Sequence, residues 1–519
     1  MRRTGLIAIA ALLGALVLLA APHPPDPVAG ARTDVRVGGA LLTSIDPAAS
    51  GDVATGAVLA NLYEGLTGFD ANLAVRPALA RSWDADPEWR HIVFHLRQGL
   101  TFSDGSRLGA EDVVRSWLRL LDPRRPSPLA GLLSDVEGVP EYLAGTNTDP
   151  SSVAITALSN SVEVRLRRSA PWFVAATASP DLAVVPRGFA PAQGSNLRDT
   201  FVGSGPYVVA SSSAQGLTLT ANAHYWAGAP AIVNVSVVAD PGSRGIIGGF
   251  RDGTLDYTDI PDIEARWIRY DPTLGPALRE EPPMTVELYG FDTTKPPFDD
   301  ARVRQAFALA VDWRTIAAAS DSTTPATSLV PPGVPGRSAA DLLPRHDPDE
   351  ARRLLAAAGY PGGVGFPDVA LQSGGSTFDD AVRDAIEREL HVPLRIELLS
   401  DFLDRMLGSD RPAMWSLAWI ADYPDPYDFL GVLLGSGQTS NFGRWSNAAF
   451  DAALDRAATA TAGADRTAAY EAAERVVADQ VPVVPVAYLR QWALARDGLL
   501  GATTGGIGIL RYGNLAWTP

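Results

Sequence analysis

The spacing of apolar residues along this chain switches repeatedly between a period of 2 and a period of 3.6, with proline or glycine at the switches. In "RHIVFHLRQGLTFSDG", Ile92, Phe94 and Leu96 alternate with His91, Val93 and His95, the pattern of a half-buried strand that runs into a turn. "GAEDVVRSWLRLLDP" follows at once, with Val113, Val114, Trp117 and Leu121 on one helical face and Pro123 as the stop. "SVEVRLRR" and "GLTLTANAHYW" read as further strands, and "VPVVPVAYLRQWALA" returns to strand character near the C-terminus. "DDARVRQAFALAVDWRTIAAA" reads as one long helix with Val303, Ala306, Phe307 and Ala310 inward. "DPDEARRLLAAAGY" and "NAAFDAALDRAA" read as shorter helices capped by Asp347 and Asn447. Strands and helices mixed throughout, without an internal repeat, predict an α/β fold. At 519 residues the chain exceeds what one core can organise and divides into two or three domains.

The first residues are a separate matter. "MRRTGLIAIAALLGALVLLAAP" joins two arginines to an apolar run from Leu6 to Ala21, the charged and apolar regions of an export signal. Ala29-Gly30-Ala31 offers small residues for cleavage, and an uncleaved run would be a marginal membrane anchor. Residues 1–31 are therefore assigned to export or anchoring, 32–34 to the end of a Pro/Gly linker, and the folded body is expected from about Val35. The chain contains no cysteine, so it carries no disulfide, no thiolate metal site and no lipid anchor on cysteine.

Several chemistries are excluded or unsupported. A net charge of −16 is wrong for a nucleic-acid partner and poor for an anionic membrane. The only lysine, Lys295, lies in "TTKPPF", which rules out a Walker A loop. His91 and His95 sit on one strand without the converging ligands that a metal needs, so no metal and no cofactor are expected. "VGSGPY" lacks the first glycine of a nucleophile elbow and reads as a tight turn before a strand. Close carboxylates in "RDGTLDY" and "QSGGSTFDD" carry no weight among 59 acidic residues. Nothing here argues for an enzyme.

One stretch is harder to dismiss. "WIADYPDPYDFL" places Asp422 between Trp419 and Tyr423, immediately before a rigid Pro-Asp-Pro corner. Asp425 can serve the turn. A second carboxylate among aromatic rings either accepts turn N–H groups or awaits a cation, because an unpaired buried charge is costly.

Several blocks together are similar to one family, the extracellular solute-binding proteins of ABC importers of the oligopeptide- and dipeptide-binding type. They are "NLYEGLTGFDANLAVRPALARSW", "FHLRQGLTFSDGSRLGAEDVVRSWLRLLDP", "GSGPYVV", "NAHYW", "DTTKPPFDDARVRQAFALAVD", and "WIADYPDPYDFL" running on to "NFGRWSNAAFD", in the family's order. The resemblance implies a two-lobed, type II periplasmic-binding-protein-like α/β fold with two β-crossovers and an extra subdomain on the first lobe. By that analogy lobe I takes residues 35–77, 201–289 and 486–519, the subdomain 78–200, and lobe II 290–485. It further implies a monomer that holds a small peptide in the interlobe cleft. That peptide would pass to the transmembrane subunits of a permease and their ATPases, outside the cytoplasm. Asp422 would receive the ligand's N-terminal ammonium, and extended peptide would pair with main chain near residues 416–420 and near Leu66.

The ligand-contacting residues implied are Glu64, Leu66, Arg405, Ser416, Ala418, Trp419, Ile420, Asp422, Tyr423 and Asn441. Two positions depart from the family pattern: Ser416 stands where an arginine is often found, and Asp292 stands in place of the usual asparagine. Arg405 or Arg411 then becomes the candidate for a ligand carboxylate. The same scaffold also serves receptors for nickel chelates, haem, oligosaccharides or opines, and an enzyme or signalling protein can reuse it.

Overall fold

The computed structural model describes residues 32–519 except 41–43, 50–52, 125–126, 128, 190–200, 321–322, 409–410 and 461–462. The expected export segment, residues 1–31, lies outside the described residues. Among the described residues no helix is long and apolar enough to cross a membrane.

Two large sheets organise the chain. The first has seven strands in the order Leu278–Glu281, Gln491–Ala495, Tyr257–Ile260, Asp34–Gly38, Asn234–Val238, Gly216–Ala221 and Tyr207–Ser213. The second has six, in the order Thr323–Pro325, Val483–Leu489, Thr285–Phe291, Met414–Ile420, Val369–Ser373 and Leu394–Leu398. A four-stranded antiparallel sheet, Ala80–Ala85, His91–Leu96, Ser161–Arg165 and Ile155–Ala157, forms the centre of the subdomain. The architecture is the two-lobed type II α/β fold.

The chain passes directly between the large sheets twice, from Glu281 to Thr285 and from Leu489 to Gln491. The amide of Gln491 donates to Thr285 Oγ1 at 3.2 Å and so ties the two crossovers side by side. The boundaries expected after residues 289 and 485 do not coincide with these crossovers. Both fall inside strands of the six-stranded sheet, which pair with each other from Val286↔Tyr488 to Gly290↔Val483. The segments that join the two sheets are 282–284 and Arg490. A boundary inside an uninterrupted apolar strand leaves no mark in the sequence, because both halves bury the same residue types.

Local readings fare better where local physics decides. Ile92, Phe94 and Leu96 are buried as their alternation requires. The Ala110–Leu120 helix buries Val113 and Trp117. Asp347 accepts from Glu350 N, and Asn447 accepts from Ala449 N and Phe450 N, as N-caps. The long helix is corrected: it is two, Ala301–Ala310 and Trp313–Ala318. Asp312 ends the run by turning its carboxylate onto Thr315 N and Oγ1, capping the second helix.

The subdomain reaches the second lobe. Trp172 stacks on Tyr427 with ring centroids 3.5 Å apart, and Ser169 Oγ donates to Ala458 O at 3.0 Å.

Candidate functional site

The Met414–Ile420 strand is paired along its whole length with Thr285–Phe291, but its other edge is covered by Val369–Ser373 only as far as Ser416. Ala421 N donates to Met284 O, and Asp292 N to Ala413 O, which fixes the alternation of the antiparallel ladder. In that register Trp419 and Leu417 exchange bonds with the neighbouring strand, while the main-chain groups of Ala418 and Ile420 point to the open edge. No described strand pairs there beyond Ser416.

This open edge forms one wall of a cavity of about 160 Å³ that draws residues from both lobes and the subdomain. Leu417–Asp422, Ser440 and Phe442 come from the second lobe, Val53, Gly56, Ile507 and Ile509 from the first, and Leu129 and Ser179–Asp181 from the subdomain. The lining is apolar except for a few polar groups, foremost the carboxyl of Asp422, as is usual of sites that bind organic solutes.

Asp422 is partly exposed, yet its Oδ2 is buried without a partner and its side chain accepts no hydrogen bond. Burial pushes its carboxyl up to about 7. Turn chemistry falls to other residues. Asp428 Oδ2 accepts from the Asp422 main-chain N–H and from Trp419 Nε1, each at 3.1 Å. Asp428 is fully buried, and its Oδ1 also lacks a partner. Burial first, and then the neighbouring Asp422 charge, hold the Asp428 carboxyl well above its ordinary range. No described ion pair neutralises either group. Asp425 caps the Pro426–Leu434 helix through Tyr427 N and binds Arg466 and Tyr470. The stretch therefore holds three aspartates with three duties, and only Asp422 is free to meet a ligand.

The other residues singled out in the sequence disperse. Ala418, Trp419 and Ile420 line the cavity with Asp422. Tyr423 packs into the core behind it. Ser416 does not line the cavity: its hydroxyl donates to Ser373 Oγ at 2.9 Å and Asp379 Oδ1 at 3.2 Å. Asn441 spends its amide on the carbonyls of Leu434, Gly435 and Trp445, so it holds the loop whose Ser440 and Phe442 reach the cavity. Leu66 is buried in the core, and its carbonyl is already occupied by Ala78 N and Ala80 N. Glu64 accepts from Tyr225 OH at 2.7 Å and from Trp226 Nε1. Arg405, on the Phe402–Leu407 helix, lies 3.5 Å from Asp401. Asp292 is fully buried, accepts from Thr294 N and Oγ1, and lies 3.5 Å from the ammonium of Lys295, which explains why a carboxylate is tolerated there.

Asp428 and the walls from Val53 and Ile507 escaped sequence reasoning. Proximity to Asp422 was the only available signal for Asp428, and it is equally a signal for helix N-capping. Ser204 of "VGSGPY" is buried, donates to Val184 O at 2.7 Å and accepts from Glu64 N, a clamp between segments. His91 and His95 go to separate partners, Glu163 and Asp84, and the described residues contain no cluster able to hold a metal ion.

Residues 74–441 match the family described as bacterial extracellular solute-binding proteins, family 5. The chain is 30% identical over 466 residues, covering 86% of each, to an Escherichia coli K12 protein named "Probable deoxycholate-binding periplasmic protein YgiS". It is 26% identical to the periplasmic oligopeptide-binding protein OppA of the same strain, covering 95% of this chain and 94% of that one. Among solved structures, the Escherichia coli murein tripeptide binding protein MppA superposes with a TM-score of 0.79 at 24% identity, over 95% of this chain and 100% of that one.

Proposed function

Because the chain belongs to the family 5 bacterial extracellular solute-binding proteins, we propose that it is the exported receptor of an ABC importer and that its ligand is a peptide with a free N-terminus. Lobe I comprises residues 32–77, 201–281 and 491–519, lobe II residues 285–489, and the subdomain 78–200. The peptide lies in the cleft as an added strand on the open edge at Ala418 and Ile420, its ammonium on Asp422, and the monomer hands it to the membrane subunits. One observation carries this reading: a carboxyl oxygen buried without a partner, beside an unpaired strand edge, in a cavity shared by both lobes. An ammonium supplies the missing partner, and the strand edge supplies main-chain recognition that tolerates varied side chains.

The named ligands of the relatives include a bile acid and peptides. A bile acid is an anion and gains nothing from Asp422. Calorimetry with tri-alanine, N-acetylated tri-alanine and deoxycholate tests the assignment. Binding of the free peptide alone is expected, whereas deoxycholate binding with no response to tri-alanine would overturn it.

The raised carboxyl gives a pH signature. Asp422, held up to about 7, is protonated in the empty site under mildly acidic conditions. An ammonium binds only the ionised form, so each unit of pH below about 7 should weaken binding roughly tenfold, with a proton released on binding. The sign for stability is opposite to the usual carboxylate case. The folded chain keeps this proton longer than the unfolded one, so the empty protein loses stability as pH rises from about 4 toward 7. Titrations in buffers of different ionisation heat report the proton count, and a count of zero near pH 6.5 would sink the assignment.

The paired crossovers at 282–284 and Arg490 are the natural hinge. Small-angle scattering should show a smaller radius of gyration with saturating peptide, and identical curves would argue against closure.

A further inference from the structure

Three arginines, Arg76, Arg97 and Arg511, gather around Glu64 where lobe I meets the subdomain, and no described carboxylate forms an ion pair with any of them. Arg511 lies two residues beyond Ile509 of the cavity wall, and its Nη2 donates to Ala178 O at 3.2 Å, next to Ser179 of the same wall. Arg76 donates through Nε to Phe69 O at 3.1 Å, and its guanidinium passes over Gly68, where a Cβ would sit 3.4 Å from Cζ. Arg97 donates to Ala78 O at 2.7 Å and lies 3.6 Å above the ring of Trp226. Glu64, the one carboxylate in the group, is committed to Tyr225 OH and Trp226 Nε1.

Three guanidinium charges against one carboxylate leave two positive charges uncompensated. Backbone carbonyls orient these side chains but do not neutralise them. Burial, with Arg76 next, pushes Arg511 down to about 10. Burial also lowers Arg97 and raises Glu64, whose charge Arg76 helps to hold. All three arginines remain partly exposed, so a solute can reach them. The arrangement is the counterpart, in opposite sign, of the unpaired carboxyl of Asp422.

We propose that Arg76, Arg97 and Arg511 form an anion site where lobe I meets the subdomain, and that it takes a carboxylate of the bound ligand. It deepens the peptide reading and rests on it for the identity of the ligand, while the anion site itself can be tested alone. The carboxylate can be the peptide's C-terminus or an acidic side chain. A guanidinium fork suits both. Arg405 and Arg411 are poorer candidates: Arg405 has Asp401 beside it, and Arg411 donates to its own loop at Gly408 O.

The test uses the full folded chain as wild type, Arg511→Gln and Arg76→Gln, with circular dichroism confirming that each variant is folded. Arg97 is left alone because it packs on Trp226. Calorimetry compares Ala-Ala-Ala with its C-terminal amide, Ala-Glu-Ala with Ala-Gln-Ala, and each with its N-acetyl form. Removing the carboxylate that is recognised should cost the wild type roughly tenfold to a hundredfold in affinity. In either arginine variant that penalty should shrink to about twofold, while the N-acetylation penalty at Asp422 persists. A carboxylate penalty equally large in wild type and variants, or absent while N-acetylation still matters, would overturn the site. If N-acetylation has no effect but the carboxylate penalty follows the arginines, the anion site stands and the ammonium anchor falls. Inorganic sulfate provides an arm free of peptides. Against chloride at equal ionic strength it should raise the melting temperature of the wild type more than that of Arg511→Gln and Arg76→Gln, and equal shifts would overturn the proposal.

Discussion

Replacing Asp422 by asparagine should lower affinity for a peptide with a free N-terminus by about 100-fold or more. The substitution keeps size and hydrogen-bonding capacity but removes the charge that would pair with the ammonium. Breaking a buried pair costs roughly 3–5 kcal/mol, and each ~1.4 kcal/mol is a factor of ten. The empty protein should not be destabilised, since the Asp422 side chain accepts no hydrogen bond and its charged form is costly where it stands. N-acetylating the peptide should cost a similar factor in the wild type. Both changes remove the same interaction, so applying them together should cost far less than their sum. A calorimetric two-by-two cycle measures this directly. Equal affinities for acetylated and free peptide would leave Asp422 without a role in recognition. Asp428→Asn tells the two carboxyls apart. Asp428 holds Trp419 Nε1 and the Asp422 N–H but leaves the Asp422 carboxyl in place, so its variant should retain the N-acetylation penalty.

Asp425→Ala should produce the largest loss of stability in the same stretch, about 3–5 kcal/mol, with little change in ligand discrimination. Asp425 Oδ2 accepts from Arg466 Nη2 at 2.7 Å, and Oδ1 accepts from Tyr470 OH at 3.0 Å and from Tyr427 N at 2.9 Å. The pair is mostly buried, with side-chain exposures of 14% for Asp425 and 20% for Arg466. Truncation strands the guanidinium, and Arg466 Nε already lacks a partner. Loss of the helix cap contributes about 1 kcal/mol of that total. Urea unfolding, with hydrogen exchange across residues 426–434 to localise the effect, measures it. A change below about 1 kcal/mol would mean that solvent screens the pair. Two aspartates three residues apart thus separate cleanly, one by its effect on binding and the other by its effect on folding.

How much of this was legible in the sequence depends on the range of the interaction involved. Asp347 and Asn447 were readable as caps because the groups they satisfy lie within three residues. The strand at His91–Leu96 and the helix after it were readable because alternation and helical spacing are properties of a few consecutive residues. Asp312 was missed as a helix break, since a capping aspartate inside a periodic apolar run looks like any polar residue on the outer face.

The site divides along the same line. The sequence by itself determined the fold family, the position of the rigid Pro-Asp-Pro corner and the oddity of Asp422 among aromatic residues, because these reside in contiguous residues or in blocks whose order along the chain is their meaning. Only the tertiary structure decided that Ala418 and Ile420 offer main chain to an open edge while Ser416 turns into the second lobe. A strand's two faces and two edges are assigned by register, and a one-residue slip exchanges them. Tertiary structure alone also turned Asn441 onto its own loop and brought Arg76, Arg97 and Arg511 around Glu64. Segments far apart in the chain meet only when sheets pair and lobes pack, and the unbalanced charge that results belongs to the folded surface and to no single stretch of sequence.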